Sequence, residues 1–449
     1  MSKQRIQLSD HFTYSRLLRF VLPCIGTMLF TSIYGIVDGL CVSNFVGKTA
    51  FAAVNLIMPL PMLLGTIGFM LGTGGSAIVG ITLGEGDQKK ADRYFTLFLL
   101  AALVSVSVLA VLGIVFLRPI AVLLGAKGEL LDYAVRYGRI LMVSLPTFAL
   151  QNMFQSFFVT AEKPHLGFWF TVGAGCTNMV LDVLMVGIWG WGVEGAAIAT
   201  FISQLVGGVL PVFYFIDRSN SSRLHLCKTS FYSKVLRDAC INGSSELMTN
   251  LSMSLVNILY NYQLLRLAGE NGVAAYGVIM YAAFLFVAVF VGYAVGSAPI
   301  VSFHYGARNH AEVHNLYHKS LRLIAVVAVT LTLASMFIIP CVARIFVGYD
   351  AELLALTSRA FRLYALSFLI MGFNVYASSF FTALGDGVTS ALISFLRTLA
   401  FQVIAILLLP LLLGIDGIWL AVTAAELAAL AVSVAMLLTK DKVFHYRKA

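Results

Sequence analysis

The chain consists of two copies of one unit. Residues 47–84 align without a gap with residues 269–306, which lie 222 positions later. The same offset holds further along, where the segment that begins at Phe157 pairs with the one that begins at Ser379. A duplication of this extent limits the fold to two repeats with the same architecture.

A small set of polar residues does not follow this repeat. The aligned positions are Asp38 and Tyr260, Asn178 and Ala400, Asp182 and Ile404, and Thr200 and Val422. Each polar residue lies in the first half, and each partner in the second half lacks an acid or an amide. A symmetric scaffold that carries an asymmetric polar site is typical of a transporter.

The composition is that of an integral membrane protein. Hydrophobic residues make up 59% of the chain, charged residues only 11%, and the mean hydropathy is +0.90. Soluble domains have about a quarter of their residues charged. Apolar windows of about 20 residues recur and predict twelve transmembrane helices, six in each repeat. Because six is even, both repeats enter the membrane from the same side. The predicted fold class is therefore all-α, with two parallel six-helix repeats.

One long polar segment, residues 217–237, separates the repeats. It predicts a first lobe at residues 1–216, a cytoplasmic linker, and a second lobe at residues 238–449. Most of the 30 Lys and Arg residues then lie on the side of the two termini, which places both termini in the cytoplasm. We expect a multi-pass protein of the cell inner membrane without a cleavable signal peptide. No Walker-type loop is present, so an ion gradient should supply the energy.

Acidic residues within the predicted spans require an explanation, because each costs about 2.5–3.5 kcal/mol to insert. Three such acids are Asp38, Asp182 and Glu246. Asn178 precedes Asp182 by one helical turn, so both side chains can reach one small ligand. Together with Asp38 and Thr200 they would form an oxygen-rich, partly anionic site for H⁺ or Na⁺. A structural hydrogen-bond network is the alternative.

Several sequence segments resemble the multidrug and toxic compound extrusion (MATE) family. They are PCIGTMLFTSIYGIVDGLCVSNFVG in the first span, GEGDQKKADRYF after the second, NMVLDVLMVG in the fifth and GVEGAAIAT opening the sixth. The segment INGSSELMTNLSMSLVNILYNYQLL is similar to the MepA-like and DinF-like branch of that family. The resemblance covers essentially the whole chain.

The resemblance implies a drug antiporter driven by inward flow of H⁺ or Na⁺, with two lobes that form a V around a central cavity. The residues that match the cation site of the first lobe are Asp38, Asn178, Asp182 and Thr200. Pro23 matches a proline of the first helix whose bending would couple protonation to drug release. Fifteen residues separate Pro23 from Asp38, so a coupling hinge is one interpretation, and a static kink is the other.

In one branch of the family, the coupling ion is assigned to acids of the second lobe. Here the seventh span supplies Glu246, but the tenth offers Asn374 and no acid in its middle, which favours the site in the first lobe. Glu246 is then available to contact a cationic substrate. The alternative for Glu246 is a buried ion pair with Arg397 in the eleventh span.

Two stripes of amides are predicted to line the substrate cavity. They comprise Gln151, Asn152 and Gln155 in the fourth span, and Asn250, Asn257 and Asn261 in the seventh. Such stripes face the protein interior because lipid offers them no partner, although hydrogen bonding between helices would explain them as well.

The predicted function is efflux of cationic or amphiphilic drugs by antiport with H⁺ or Na⁺, a basis for antibiotic resistance. The alternative is a flippase for lipid-linked oligosaccharides of the same superfamily. A flippase needs a positively charged cavity, whereas Arg397 stands against three acids within the spans. A channel is disfavoured because no selectivity filter is recognisable.

We expect a monomer in the lipid bilayer that carries small organic cations or amphiphiles. No enzymatic activity, cofactor or nucleic-acid partner is expected, and no metal other than Na⁺ at the cation site.

Overall fold

The computed structural model describes residues 6–348 and 350–447, which are almost entirely helical. Helices of the first half are α1 (Tyr14–Phe45), α2 (Lys48–Ile57), α3 (Pro59–Gly84), α4 (Gln88–Leu123), α5 (Gly128–Thr160), α6 (Pro164–Leu181), α7 (Gly192–Gly208) and α8 (Leu210–Ile216). A π-helical segment, Asp182–Ile188, extends α6.

The second half repeats this pattern. Its helices are α9 (Ser233–Asn242), α10 (Ser244–Gly306), α11 (His310–Val347), α12 (Ala351–Ala365), α13 (Phe368–Ala383), α14 (Gly387–Phe395), α15 (Phe401–Leu413), α16 (Ile415–Thr439) and α17 (Asp441–Phe444). A second π-helical segment, Leu396–Ala400, joins α14 to α15.

Nine helices in the described part of the chain are long and apolar enough to cross a membrane, and the bent pair α12 and α13 provides a tenth span. The 63-residue α10 contains two spans, because Gly269 has a non-helical φ of 59°. Tyr260 stacks on Tyr276 across this break with ring centroids 5.0 Å apart, whereas 16 residues of straight helix would separate them by about 24 Å. With the 33-residue α5, these helices account for the twelve predicted spans.

The two lobes share one hydrophobic core on one side of the molecule and have separate cores on the other. The shared core includes Phe158 of the first lobe and Phe303 of the second, and it contains Leu8 and Tyr446 from the two ends of the chain. We call this side the terminal side. On the opposite, far side, a first-lobe core draws only on residues 50–197 and a second-lobe core only on residues 256–422. This division gives the predicted V shape, closed on the terminal side.

Two equivalent glycines mark the crossing of the lobes on the terminal side. A Cβ on Gly84 would lie 2.0 Å from the carbonyl oxygen of Phe303, and a Cβ on Gly306 would lie 2.1 Å from that of Ile81. Gly84 and Gly306 differ by the repeat offset of 222, as do Ile81 and Phe303. The contact is therefore isologous, which shows that the two repeats are related by a pseudo-twofold axis.

The N-terminal segment also joins the lobes on the terminal side. The backbone N–H of Leu8 donates to Oε1 of Glu162 in the first lobe at 2.9 Å. The N–H of Phe12 donates to Oε1 of Glu312 in the second lobe at 2.8 Å. Residues 6–12, which we call the strap, therefore hold both lobes.

Part of the segment predicted as the linker, residues 217–237, is helical. Residues 217–232 are non-helical, and α9 begins at Ser233, before the predicted end at residue 237. Val235 and Leu236 of α9 pack against the shared core, and Ala239 is fully buried in it. Burial of this apolar face explains why the last residues of the predicted linker are helical.

Candidate cation and substrate sites

Asp38 and Asp182 lie against each other on the far side of the first lobe. Asp38 is near the end of α1, and Asp182 is the first residue of the π-helical segment that follows α6. Their carboxyl groups are close enough to interact through charge. Two carboxylates held close together in a buried site repel each other unless one of them holds a proton or a cation lies between them. The fold thus creates an acid pair that needs a proton or a cation.

Within the described residues, three of the carboxylate oxygens of the acid pair have no hydrogen-bond partner. Asp182 is fully buried, and in the described part of the chain neither of its oxygens accepts a hydrogen bond from a protein donor. The buried Oδ1 of Asp38 and the Nδ2 of Asn178 are likewise without partners there. Buried polar atoms without partners are rare and require an explanation. A proton or a small cation held between the carboxylates would provide it.

Thr200 is half-buried in α7 and uses its hydroxyl within its own helix. The Oγ1 donates to the carbonyl oxygen of Ala196 at 3.0 Å. Its lone pairs remain able to accept a bond or to contact a cation. Among the described residues no hydrogen bond joins Thr200 to either acid.

Three residues near the acid pair were not predicted from the sequence. Tyr34 interacts electrostatically with Asp38, and Cys41 and Tyr137 interact with both acids. Tyr34 and Cys41 lie four positions before and three positions after Asp38, a spacing that places them on the same helix face. That spacing could have identified both. Tyr137 comes from α5 and is brought close only by the tertiary fold.

A second polar network lies in the second lobe. Nη1 of Arg397 donates to Oε1 of the buried Glu426 at 3.3 Å. The Nδ2 of Asn374 donates to the other carboxylate oxygen of Glu426 at 2.7 Å. The hydroxyl of Ser433 in turn donates to Oδ1 of Asn374 at 2.8 Å. Both carboxylate oxygens of Glu426 are therefore satisfied, one by charge and one by an amide.

Glu246 does not form the ion pair with Arg397 that was one of its two predicted roles. Within the described residues, the acid within 4 Å of the Arg397 guanidinium is Glu426, while Glu246 interacts with Arg397 only by longer-range charge. The sequence interpretation did not consider Glu426 as a site residue. The sequence signal for Glu426 is its position inside the apolar α16, because an acid at that position costs as much free energy to insert into the membrane as Glu246 does.

Both lobes contain a π-helical segment in their fifth span, and each segment carries a charged residue. Asp182 begins the first segment, and Arg397 lies within the second. π-helical turns are rare and occur frequently at functional sites. Asp182 and Arg397 therefore both lie where their helices depart from regular geometry.

Two of the three amides of the fourth span line a small cavity. Gln151 and Gln155 face a space of about 20 Å³ beside Cys24 and Thr27 of α1, which has room for one water. Asn152 is buried, and its Nδ2 has no partner among the residues that the structure describes.

The amides of the seventh span bond along their own helix. The Nδ2 of Asn250 donates to the carbonyl oxygen of Glu246 at 2.9 Å, and that of Asn261 donates to Oδ1 of Asn257 at 3.3 Å. Asn257 is exposed on the surface of the protein. This stripe therefore does not bond to neighbouring helices through the contacts that the structure records for it.

Pro23 is buried within α1, next to residues that line the small cavity. Proline has no N–H, so the carbonyl one turn earlier loses its helical bond. The hydroxyl of Thr27 donates to the carbonyl oxygen of Pro23 at 2.9 Å. Pro23 thus weakens α1 between the strap and the acid pair.

Two parallel repeats of membrane-spanning helices, arranged as a V with an acid pair in one lobe, define a transporter that arose by internal duplication. The MatE family model matches residues 23–184 and again residues 247–408, so the chain belongs to the MatE family. The double match confirms the resemblance and the duplication inferred from the sequence.

Relatives of known name and structure cover nearly the whole chain. The multidrug export protein MepA of Staphylococcus saprophyticus is 21% identical over 436 residues, which are 96% of this chain and 95% of that protein. A crystal structure of MATE in complex with MaL6 has a TM-score of 0.92 at 22% identity and covers 99% of this chain and 100% of its own. An outward-facing multidrug resistance MATE family transporter of the MOP superfamily also has a TM-score of 0.92, at 22% identity with 99% of both chains covered. These likenesses establish the fold.

Proposed function

We propose that this protein exports cationic or amphiphilic small molecules in exchange for H⁺ or Na⁺. The observation that carries the proposal is the proximity of Asp38 and Asp182, whose carboxyl groups interact through charge and have buried oxygens without partners among the described residues. An acid pair whose buried oxygens have no partner among the described residues can bind one positive charge as a unit, either a proton or a small cation. Such a pair in one lobe of a MatE family protein is suited to couple an ion gradient to transport.

Asn178 and Thr200 complete the proposed cation site. Asn178 contributes an amide oxygen, and Thr200 contributes a hydroxyl oxygen whose proton is already bonded to Ala196. Oxygen ligands suit Na⁺, and a carboxyl pair suits H⁺. The donor set therefore fits either coupling ion.

The proposed transport cycle moves the two lobes relative to each other. We take residues 1–216 and 238–449 as the lobes and residues 217–237 as their connection. With both termini in the cytoplasm of a cell with an inner membrane, the shared core closes the cytoplasmic side and the V opens outward. To open inward, the protein must separate Gly84 from Gly306 and release one end of the strap.

The second lobe contains a charge imbalance that supports a cationic substrate. Glu426 is paired with Arg397, whereas no cation among the described residues lies within 4 Å of Glu246. A carboxylate in a partly dry cavity attracts a cation more strongly than it would in water. We propose that Glu246 contacts the charged group of the substrate, while Gln151 and Gln155 line a cavity in the first lobe.

Inverted membrane vesicles test the function directly. A fluorescent organic cation is loaded outside vesicles that contain the protein, and Na⁺ and pH gradients are imposed separately. Uptake accelerated by one gradient, and abolished when that gradient is collapsed by an ionophore, is the expected result and identifies the coupling ion. Uptake that does not change with either gradient would contradict antiport. Movement of a lipid-linked oligosaccharide, without movement of the organic cation, would favour a flippase.

A further inference from the structure

The second lobe holds three charged side chains close together, and their arrangement is unequal. Arg397 interacts with two acids, but it forms an ion pair with Glu426 and only a longer-range interaction with Glu246. Two carboxylates thus compete for one guanidinium.

Three hydrogen bonds favour Glu426 in this competition. Arg397 bonds one of its oxygens, Asn374 bonds the other, and Ser433 fixes the orientation of the Asn374 amide. The Nδ2 of Asn374 also bonds the backbone carbonyl of Glu426 at 2.9 Å. Glu426 is therefore held in one position and presents a fixed anion to Arg397.

The guanidinium of Arg397 does not use all of its hydrogen-bond donors. Its Nε is buried and has no hydrogen-bond partner in the part of the chain that the structure describes. The side chain thus has an unused donor, and its position depends on the attraction of Glu426. An arginine on a long flexible stem that loses this attraction turns toward the next anion within reach, which is Glu246.

We propose that Glu426 determines substrate specificity as a positioning residue: it holds Arg397 away from Glu246, so that the Glu246 carboxylate stays free to bind the cationic group of a substrate. This inference rests on the proposed role of Glu246 in the function above. Without Glu426, Arg397 pairs with Glu246, and a cationic substrate must displace a buried ion pair before it can bind.

The test compares the binding of two probes to the purified full-length protein. One probe is a monovalent fluorescent organic cation, and the other is an uncharged hydrophobic dye of similar size. For Glu426→Gln we expect binding of the cation to weaken by roughly tenfold or more, equivalent to about 1.4 kcal/mol. Binding of the uncharged dye should remain within about twofold, because the shape of the cavity is preserved.

A second substitution distinguishes repositioning from general damage. In Glu426→Gln/Arg397→Gln the competing guanidinium is gone, so cation binding should return to near the wild-type value. If the double variant binds the cation as weakly as Glu426→Gln, or if Glu426→Gln weakens both probes equally, the inference is wrong. Should Glu426→Gln fail to fold, Arg397→Gln alone should keep or strengthen cation binding, and a loss there would overturn the inference.

Glu246→Gln separates this inference from the proposed function. If Glu246→Gln leaves cation binding unchanged, the substrate role of Glu246 fails, and the inference fails with it. If Glu246→Gln weakens cation binding but Glu426→Gln does not, Glu246 retains its role and only the positioning role of Glu426 is refuted. Ser433→Ala is a matched control that removes one hydrogen bond of the network without freeing Arg397, and it should alter cation binding less than Glu426→Gln.

Discussion

The first lobe carries Asp38, Asn178, Asp182 and Thr200 at positions where the second lobe carries Tyr260, Ala400, Ile404 and Val422. In the first lobe these positions form an acid pair with unsatisfied polar atoms. In the second lobe Tyr260 stacks on Tyr276 and belongs to a core that also contains Val422 and Trp419. The same backbone arrangement therefore supports the proposed ion site in one copy and an aromatic core in the other.

At a second set of equivalent positions, the charged residues lie in the second lobe instead of the first. Asn374 and Glu426 of the second lobe correspond by the repeat offset to Asn152 and Gln204 of the first. The Arg397 position corresponds to Gly175. An acid thus occupies this place only in the lobe that also provides a guanidinium, while the other lobe has a neutral amide. This pattern agrees with the rule that a buried charge requires a partner.

We propose from this comparison that ion coupling belongs to the first lobe, so neutralising its acids should produce the largest effect. In Asp38→Asn or Asp182→Asn the pair can no longer bind a proton or a cation as a unit. We expect gradient-driven efflux to fall to the level of vesicles without the protein, while the fold is retained because like charges are removed. Efflux with imposed gradients and thermal unfolding of each variant are the measurements.

Glu85→Gln is the matched control for these variants, because Glu85 is an exposed acid at the end of α3. Its efflux should equal that of the wild type. Wild-type coupling in a well-expressed Asp38→Asn or Asp182→Asn protein would place the cation site elsewhere.

Sequence reasoning predicted the fold and the first-lobe acids because both depend on patterns within single helices. Apolar windows and the repeat offset define the spans, and an acid such as Asp182 in an apolar span is visible without a structure. The contribution of Tyr137 could not be predicted, because it depends on where the tertiary fold places α5. The pairing of Arg397 with Glu426 instead of Glu246 also required the structure, since both acids lie in spans and only their distances distinguish them.

The proline of α1 provides a second, smaller test of the comparison. Pro23 corresponds to Ser245 in the second lobe, so only the lobe with the acid pair has a proline at this place. Pro23→Ser restores an N–H to α1 and stiffens the helix between the strap and Asp38. If the bend at Pro23 contributes to coupling, the rate of gradient-driven efflux should fall by severalfold, while thermal stability is kept or raised.

Pro340→Ser is the control for this substitution, since Pro340 lies inside α11 and is exposed on the surface of the protein. Its efflux rate should not change. A Pro23→Ser protein with the wild-type efflux rate would show that Pro23 is a static kink.

The smallest effect is expected at the counterpart of Asp38. In the described part of the chain, the buried hydroxyl of Tyr260 approaches the backbone of Val422 but has no hydrogen bond of good geometry. Tyr260→Phe removes this hydroxyl and keeps the ring that stacks on Tyr276. Because a buried polar group without a partner opposes folding, the free energy of unfolding should stay the same or rise by about 1 kcal/mol.

Thermal or denaturant unfolding measures the stability, and gradient-driven efflux should match the wild type. Weakened coupling in Tyr260→Phe, without loss of stability, would mean that the second lobe also takes part in ion binding and that the asymmetry of the two lobes is incomplete.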